Sequence, residues 1–463
     1  MLTYNDLLEC GEDEEKRKAF LLRAINEHEN SEKFKIGQIA GEFYRGNDPI
    51  LEKVQKIVYD MQGMAHRDIF SPNHKITTNF YYVFVTQMIS YSLGNGISFD
   101  NPEIKKNLGN RFDYTLQKIL EYSANDGISF ALVTDTDVIP LNFANDPNEP
   151  VFIPLYSESD GRIKAGIRYW RISADKPLRV TLFEPDGYTE YRKPSYGGFE
   201  VIQEKRAYKR QIRSFPDLPA VSDMTDDIPE NNGLPIVPLV FINRQSHIRN
   251  NVTKLSAYNA LLSKLANNSD DSDLIYWVLK NCDGMDEIDD AEFITDLIRT
   301  HVVHLKNDVE AEPKQLNAPY ECTKETLEIL RKQLFYDFMA VEFERTSGGN
   351  ITTSEIKQGY ENLNLKADKV EACVSEFIMG VLKLRGFDEN EPFHFTRPKN
   401  VNESEAVQTA ISAAEFMGDE ATTKTICEIT GKTDEFENIQ KQKKAESLER
   451  FSDSYGGNEN EKQ

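Results

Sequence analysis

Three stretches hold residue types that could do chemistry, and in each the spacing is wrong for it. Gly431-Lys432-Thr433 looks like the end of a phosphate-binding loop, whose backbone amides and lysine cradle phosphate oxygens. The full pattern needs a glycine five residues earlier, where Ile426 stands, and a strand leading in, where the neighbourhood reads as helical. His301 and His304 would share one helix face, but the adjacent residues offer no third zinc ligand and no HExxH order. Asp283-Gly284-Met285-Asp286-Glu287-Ile288-Asp289-Asp290 gathers carboxylates, yet its glycine is second rather than sixth, as a calcium-binding EF-hand loop requires. GxSxG, a GxGxxG following a strand, and a nucleophile beside a base are absent. Cys10, Cys282, Cys322, Cys373 and Cys427 stand singly, which gives no disulfide framework; each is expected to be a small buried apolar residue. The chain therefore reads as a non-enzyme, with no catalytic residue, no metal site and no cofactor.

The elements that would position any site come from 463 residues, enough for two or three domains of ~100–200 residues. With 39% hydrophobic and 28% charged residues, a sizeable core forms under a very polar surface. The most apolar run, Phe80 to Leu93, is broken by Thr86, Gln87, Ser90 and Ser92 and is too short to span a bilayer. The N-terminus, MLTYNDLLECGEDEEK, is acidic where a signal peptide is basic and then apolar, so the chain is expected to stay in a cytoplasm.

Lys+Arg total 54 and Asp+Glu 77, a net charge of −23. Gripping DNA through its phosphates needs a basic face, because released counterions supply most of the affinity. An ordinary DNA binder and a membrane-surface protein are both disfavoured. A channel along which DNA must slide is not, since strong phosphate contacts there would act as a brake. An acidic coat that simply keeps the protein soluble fits equally well.

Residues 1 to about 125 read as helical. From Ile128 to about Ile212 the pattern turns to short β-branched and aromatic runs. Asp160-Gly161, Pro185-Asp186-Gly187 and Gly197-Gly198 punctuate them, which predicts antiparallel strands. Ser214 to Pro238 carries Pro216, Pro219, Pro229, Pro235 and Pro238 among acidic residues and reads as a connector or extended arm. Two helical patterns follow, one through Ile248, Val252, Leu255, Tyr258, Leu262 and Leu265, the other through Leu327, Leu330, Leu334, Phe338 and Val341. Between them lies an acidic insert with ten carboxylates from Asp270 to Asp296 against one Lys280, and an apolar run from Leu274 to Leu279. Such a module fits docking to a basic partner; a solvated loop face fits the charge as well. Ser347-Gly348-Gly349-Asn350 breaks the second helix near Arg345. A third pattern runs from Ile356 to Leu384, and helical material continues from Ser404 to about Phe451.

The order of these pieces resembles the portal proteins of tailed double-stranded-DNA bacteriophages, of the siphophage type from Gram-positive hosts. The residues that carry the likeness begin with Phe43-Tyr44-Arg45-Gly46 and Pro49-Ile50-Leu51. Lys75-Ile76-Thr77-Thr78-Asn79-Phe80 follows, leading through Val85 and Gln87 to Tyr91-Ser92-Leu93-Gly94. Asn232-Gly233-Leu234-Pro235-Ile236-Val237-Pro238-Leu239 with Asn243 comes next, then Ser272-Asp273-Leu274-Ile275-Tyr276 with Leu279 and Asp283-Gly284. Asn402-Glu403-Ser404-Glu405 leading to Gly418 completes the set, which spans roughly residues 40 to 440.

The resemblance implies an α+β, mainly helical portal fold that assembles as a ring, typically of about twelve copies. It implies a wing over 1–246, with a β-rich part at 128–212 and the Pro-rich connector at 214–238. Stem helices fall at 247–270 and 322–345, around an α/β clip at 271–321. A tunnel loop at 346–355, a helical crown at 356–452 and a disordered tail at 453–463 complete the chain. The loop residues Ser347, Gly348, Gly349, Asn350, Ile351, Thr352 and Thr353 would face DNA; a plain turn between helices would look the same. Trp277, Asp286, Glu287, Asp289 and Asp290 of the clip would meet partners. Those partners would be the terminase large subunit during packaging and a head-completion or adaptor protein afterwards. Major capsid and scaffolding proteins would surround the ring, and double-stranded DNA would pass through it. No membrane is involved: the protein would sit at a capsid vertex of the virion, after assembly in the host cytoplasm. A capsid adaptor or scaffolding protein that encloses no channel is the alternative.

Overall fold

The structure is a computed structural model describing residues 2–59, 64–67, 72–144, 149–208, 210–213, 224–227, 233–272, 275–280, 310–315, 320–342, 353–397, 403–429, 436 and 438–442. It divides into two compact units, Met1–Phe338 with Lys369–Thr396, and Met339–Asp368 with Arg397–Gln463.

The first unit opens on helices α1 (Tyr4–Glu9), α2 (Glu14–Asn30) and α3 (Glu32–Tyr44). Each starts where a side-chain oxygen accepts from otherwise unpaired backbone amides: Thr3, Asp13 and Ser31. Then come strands β1 (Ile57–Tyr59) and β2 (Ala65–Arg67), helix α4 (Phe80–Leu93), β3 (Ile97–Phe99), α5 (Pro102–Leu108) and α6 (Phe112–Asp126). The apolar run Phe80–Leu93 is the core helix its length predicts, with Tyr81, Phe84, Val85, Met88, Ile89 and Leu93 all buried. No helix among the described residues is long and apolar enough to cross a membrane.

The strand-rich region follows as the alternating pattern predicts. Strands β4 (Ile128–Val133) and β5 (Val138–Leu141) form a hairpin. Strands β6 (Val151–Tyr156), β7 (Ile163–Trp170), β8 (Leu178–Glu184), β9 (Gly187–Lys193) and β10 (Glu200–Arg206) make a five-stranded antiparallel meander. Strands β11 (Arg210–Arg213) and β12 (Met224–Asp227) pair with each other. The connector reading of Ser214 to Pro238 needs correction twice, since β12 lies within it and, at its end, Ile236–Val240 forms strand β13 against β4. Pro238 is tolerated because β13 pairs on one side only, as an edge strand. The core joins the meander and the β4–β5 hairpin to α1–α3 through Phe130, Phe152, Leu155, Ile167 and Leu182, under Phe20, Leu21 and Phe34.

Two further corrections concern the N-terminal region and the cysteines. The region expected to be helical to about residue 125 also holds strands β1, β2 and β3, and residues 72–79, between β2 and α4, are not helical. Of the cysteines expected to be buried, Cys427 is; Cys10 and Cys373 are half-buried, Cys322 is exposed and Cys282 lies outside the described residues.

Helix α6 ends at Gly127, whose φ of +82° places it in the left-handed region. A Cβ there would stand 2.8 Å from the Gln245 carbonyl carbon, so the approach to the next long helix also needs glycine. That approach turns through Asn243 and Arg244, both at positive φ, before α7 (Val252–Ser272). Strands β14 (Ile275–Lys280) and β15 (Glu310–Gln315) follow, then the helix Tyr320–Asp337. This helix stops about eight residues before the expected break near Arg345: Phe338 begins a turn and Met339 has a φ of +51°. The long helix Thr353–Leu384 gives its first half to the second unit and its second half to the first, where Phe393–Phe395 (β16) pairs with β3. The second unit continues with helices Glu403–Ser412, Ala414–Met417 and Asp419–Ile429.

Two buried ionisable groups clamp one peptide of the first unit from opposite sides. His28 Nε2 donates to the Phe143 carbonyl at 2.7 Å, and Asp126 Oδ2 accepts from the amides of Phe143 and Ala144 at 3.0 and 2.9 Å. Burial holds the imidazole neutral, with its pKa lowered to about 4, and pushes the Asp126 carboxyl up to about 7 against its two hydrogen bonds. The stability contributed by His28 is present above its ordinary 6.5 and is lost as pH falls towards 4. The Asp126 contribution has the opposite sign, being present below 3.8 and lost as pH rises through about 7. Asp126→Asn keeps an acceptor and removes only the second effect. Its stability relative to the parent should therefore rise steadily from about pH 4 to pH 7, read from denaturant midpoints across that range. A pH-independent difference would contradict the buried carboxyl.

Candidate functional site

The antiparallel pair of helix α7 and helix Tyr320–Asp337, with the paired strands β14 and β15 lying between them in sequence, is the most distinctive arrangement of the first unit. Leu255 of α7 and Leu327 and Leu334 of its partner are buried along the seam. Lys254, near the start of α7, pairs with Asp337 at the end of the other helix, which fixes their opposite directions.

At its base the pair is gripped by aromatic rings from α4. Phe84 stacks on Phe338 with centroids 4.6 Å apart and meets Phe335 edge-on at 5.1 Å. Phe80 meets Tyr258 of α7 at 5.1 Å, and His247 meets Phe338 at 4.8 Å. Ring pairs of this kind contribute about 0.5–1.5 kcal/mol each beyond the area they bury.

An adjoining face of α7 is polar, and it is buried too. Ser256, Asn259, Ser263 and Asn267 recur at three- and four-residue steps and are all buried. The extended segment 74–78 lies along them in the reverse direction. Asn267 Oδ1 accepts from the His74 amide at 2.7 Å, Ser263 Oγ from the Ile76 amide at 2.9 Å, and Asn259 Oδ1 from the Thr78 amide at 3.1 Å. His74 Nε2 also lies 2.5 Å from Asp270 Oδ2.

One carboxylate closes this ladder. Asp48, wholly buried, accepts from Ser256 Oγ at 3.0 Å and Asn259 Nδ2 at 2.9 Å. It also accepts from the amides of Ile50 and Leu51 at 3.0 and 3.1 Å. Sequence reading names the apolar stripe of α7 and misses this one. The signal was present as polar residues at helical spacing directly behind Leu255, Tyr258 and Leu262.

Of the residues singled out from sequence, Trp277 lies in β14, in register with Pro313 of β15. Asp286, Glu287, Asp289 and Asp290 lie outside the described residues, as do Ser347 to Thr352, while Thr353 is the first residue of the long helix. The histidine pair 301 and 304 and the Gly431-Lys432-Thr433 turn also fall outside them. No group of residues able to hold a metal ion occurs among the described residues.

Residues 23–448 match the protein family described as phage portal protein, SPP1 Gp6-like. The portal protein of Clostridium phage phiCD119 is 23% identical over 408 residues, covering 82% of this chain and 86% of that protein. Among solved structures, a chain from the virion of a native gene transfer agent particle covers 73% of this chain and 85% of its own length. It is 10% identical, with a TM-score of 0.41. A chain from the neck of the native particle covers 75% of this chain and 89% of its own, at 11% identity and a TM-score of 0.39.

The Asp48 ladder makes a quantitative demand. Asp48→Ala strands two backbone amides, a serine and an asparagine in a buried site, where a lost partner costs about 1–3 kcal/mol. Unfolding monitored by denaturant should show a loss of ~3 kcal/mol, as for other broken buried networks. A loss below ~0.5 kcal/mol, the range of ordinary surface substitutions, would mean that the ladder does not hold the helix.

Proposed function

The chain belongs to the phage portal protein family of the SPP1 Gp6-like type, and on that membership we propose that it forms the ring-shaped DNA channel at one vertex of a tailed-phage capsid. The observation that carries the reading is the family match over residues 23–448, joined to an antiparallel helix pair with a two-stranded sheet between its helices in sequence. A ring repeats such a pair around its axis, so the outer face of each helix needs a neighbour. Ile329 and Tyr336 fit that demand, standing 57% and 74% exposed two turns apart on the helix Tyr320–Asp337. The role is structural rather than catalytic. The ring docks the terminase large subunit for packaging and a head-completion or adaptor protein afterwards, contacts capsid and scaffolding proteins, and releases DNA on ejection.

The net charge of −23 on each subunit supports a sliding channel, because little counterion release is available to hold DNA in place. Light scattering and negative-stain images of the purified full-length chain test the reading directly. The expected particle is a closed ring many times 53.0 kDa with a central hole. A monomer or a small solid oligomer at all concentrations, as a non-channel adaptor gives, would overturn it.

Two finer assignments share one assay. The stretch from Ser347 to Thr353 is the lip that touches DNA, built from paired glycines and hydroxyls that bond phosphates singly and let go. The clip carboxylates Asp286, Glu287, Asp289 and Asp290, with Trp277, steer partner docking by charge. In terminase-driven packaging, Gly348→Ala with Gly349→Ala, and separately Thr352→Lys with Thr353→Lys, should keep rings intact but stall DNA partway. Reversing the four carboxylates to Lys should keep rings intact but weaken terminase binding. Normal packaging by both lip variants would reduce the loop to a plain turn, and unchanged binding would remove the electrostatic role.

A further inference from the structure

One face of the five-stranded sheet carries a pocket for which the channel has no use. The register of β7, β8 and β9 sets Arg168, Thr181 and Glu190 in one row across the sheet, with Phe183 and Tyr188 paired in a neighbouring row. Residues two apart on a strand share a face, so Trp170 stands on the same side as Arg168. The Arg168 guanidinium lies over the Trp170 ring, 4.5 Å from its centroid. The end of β4 and the turn after it, from Leu132 to Asp135, help to enclose a cavity of about 600 Å³, a size typical of small-molecule sites. Tyr208 supplies another wall, fixed by a hydroxyl shared between the Glu184 and Gly187 carbonyls at 2.5 and 2.9 Å.

Arg168 is the unusual group in this pocket. Its Nε is shielded from solvent and has no hydrogen-bond partner among the described residues. Burial draws its pKa below the ordinary arginine value, and Glu190 offsets only part of that effect. A desolvated charge left in this state is normally answered by a partner of opposite sign. The planar guanidinium fork matches a carboxylate, and Trp170, Phe183, Tyr188 and Tyr208 give part of the cavity wall an aromatic surface. Glu190 and Asp135 also line the cavity and repel any anion, a phosphate dianion about twice as strongly as a singly charged carboxylate.

We infer that this pocket binds a carboxylate carried on an apolar, preferably aromatic, body. Arg168 takes the carboxylate, and Trp170, Phe183, Tyr188 and Tyr208 take the body. Such a group arrives either on a small free acid or at the C-terminus of a peptide.

The chain has two tryptophans, so Trp277→Phe leaves Trp170 as the sole emitter in the full-length protein. Phenylacetate and acetyl-glycyl-phenylalanine, titrated separately at constant ionic strength, represent the two sources. Saturable change in Trp170 emission with either supports the site and identifies the source. Neutral phenylacetamide should bind at least tenfold more weakly than phenylacetate, and inorganic phosphate should give no saturable change. Arg168→Gln should weaken phenylacetate at least tenfold with little change in the thermal midpoint, since relief of a desolvated charge offsets the lost Trp170 ring contact and Glu190 attraction. Equal binding of the amide, saturable binding of phosphate, unchanged affinity in Arg168→Gln, or no saturable change with either acid would each overturn the inference. The amide and phosphate comparisons use unaltered Arg168, so they decide the matter even if the variant folds poorly.

Discussion

A long helix that leads into a small sheet must be held by contacts that cannot trade partners with water, or its far end wanders. In this protein the hold is the buried polar face of α7. Three amides of an extended strap, spaced two residues apart, meet acceptors spaced along the helix at four-residue steps. An extended chain advances ~6.6 Å over two residues and a helix ~6 Å over four, so the two ladders stay in step over this length. Sliding the helix by one turn would leave the end rung unmatched and take Ser256 and Asn259 away from Asp48, and a smaller slide would break every rung. The asymmetry of hydrogen bonding, modest when made and expensive when a buried group is orphaned, then acts as a register lock. Hydrophobic packing on the other face of α7 supplies affinity but little such precision, because apolar contact is non-directional.

Asp48 extends the same logic to the loop that precedes the strap. Its two oxygens serve two backbone amides of its own turn and two side chains of α7, so helix and turn are ordered together. A carboxylate is well suited to this, since it offers about four lone-pair positions and requires no donor in return. The aromatic rings of α4 then close over the helix pair from the side. Polar contacts set where the helices stand, and ring packing resists their separation.

Much of this was legible in the sequence, and the failures have physical causes. Strands β4 to β10 announce themselves by alternation and turn residues, and the two long helices by their apolar stripes. The strap did not, because Lys75-Ile76-Thr77-Thr78 has no period of its own and what it donates to the side chains of α7 is backbone amides, which every residue carries. Strand β13 was hidden by Pro235 and Pro238, which argue against a central strand but not against an edge. The early end of the helix Tyr320–Asp337 was hidden for the opposite reason: Leu334, Phe338 and Val341 continue a helical period through the turn at Phe338 and Met339, and all three remain buried. Periodicity reports which residues face the core, and a turn can satisfy that as well as a helix. The candidate site divides the same way, with the apolar seam visible beforehand and the polar ladder behind it overlooked.

Buried charge is handled differently at each place it occurs in the first unit, and the differences are informative. Glu184 is neutralised by a two-pronged pair with Arg17, both contacts at 3.0 Å, and by Lys205 at 3.3 Å. Asp48 is surrounded by four hydrogen-bond donors. His28 and Asp126 avoid charge by shifting their protonation, one losing its proton and the other retaining it towards neutral pH. Arginine has no such escape, because its pKa is too high for burial of this degree to discharge it. Arg168 therefore keeps its charge while its Nε lacks a protein acceptor, and the Trp170 ring compensates only part of the lost hydration. Replacing it with an apolar residue would relieve the strain on folding, so stability alone gives the sheet no reason to carry an arginine there. A charge held ready in an aromatic pocket is better explained by something that enters than by the fold that holds it.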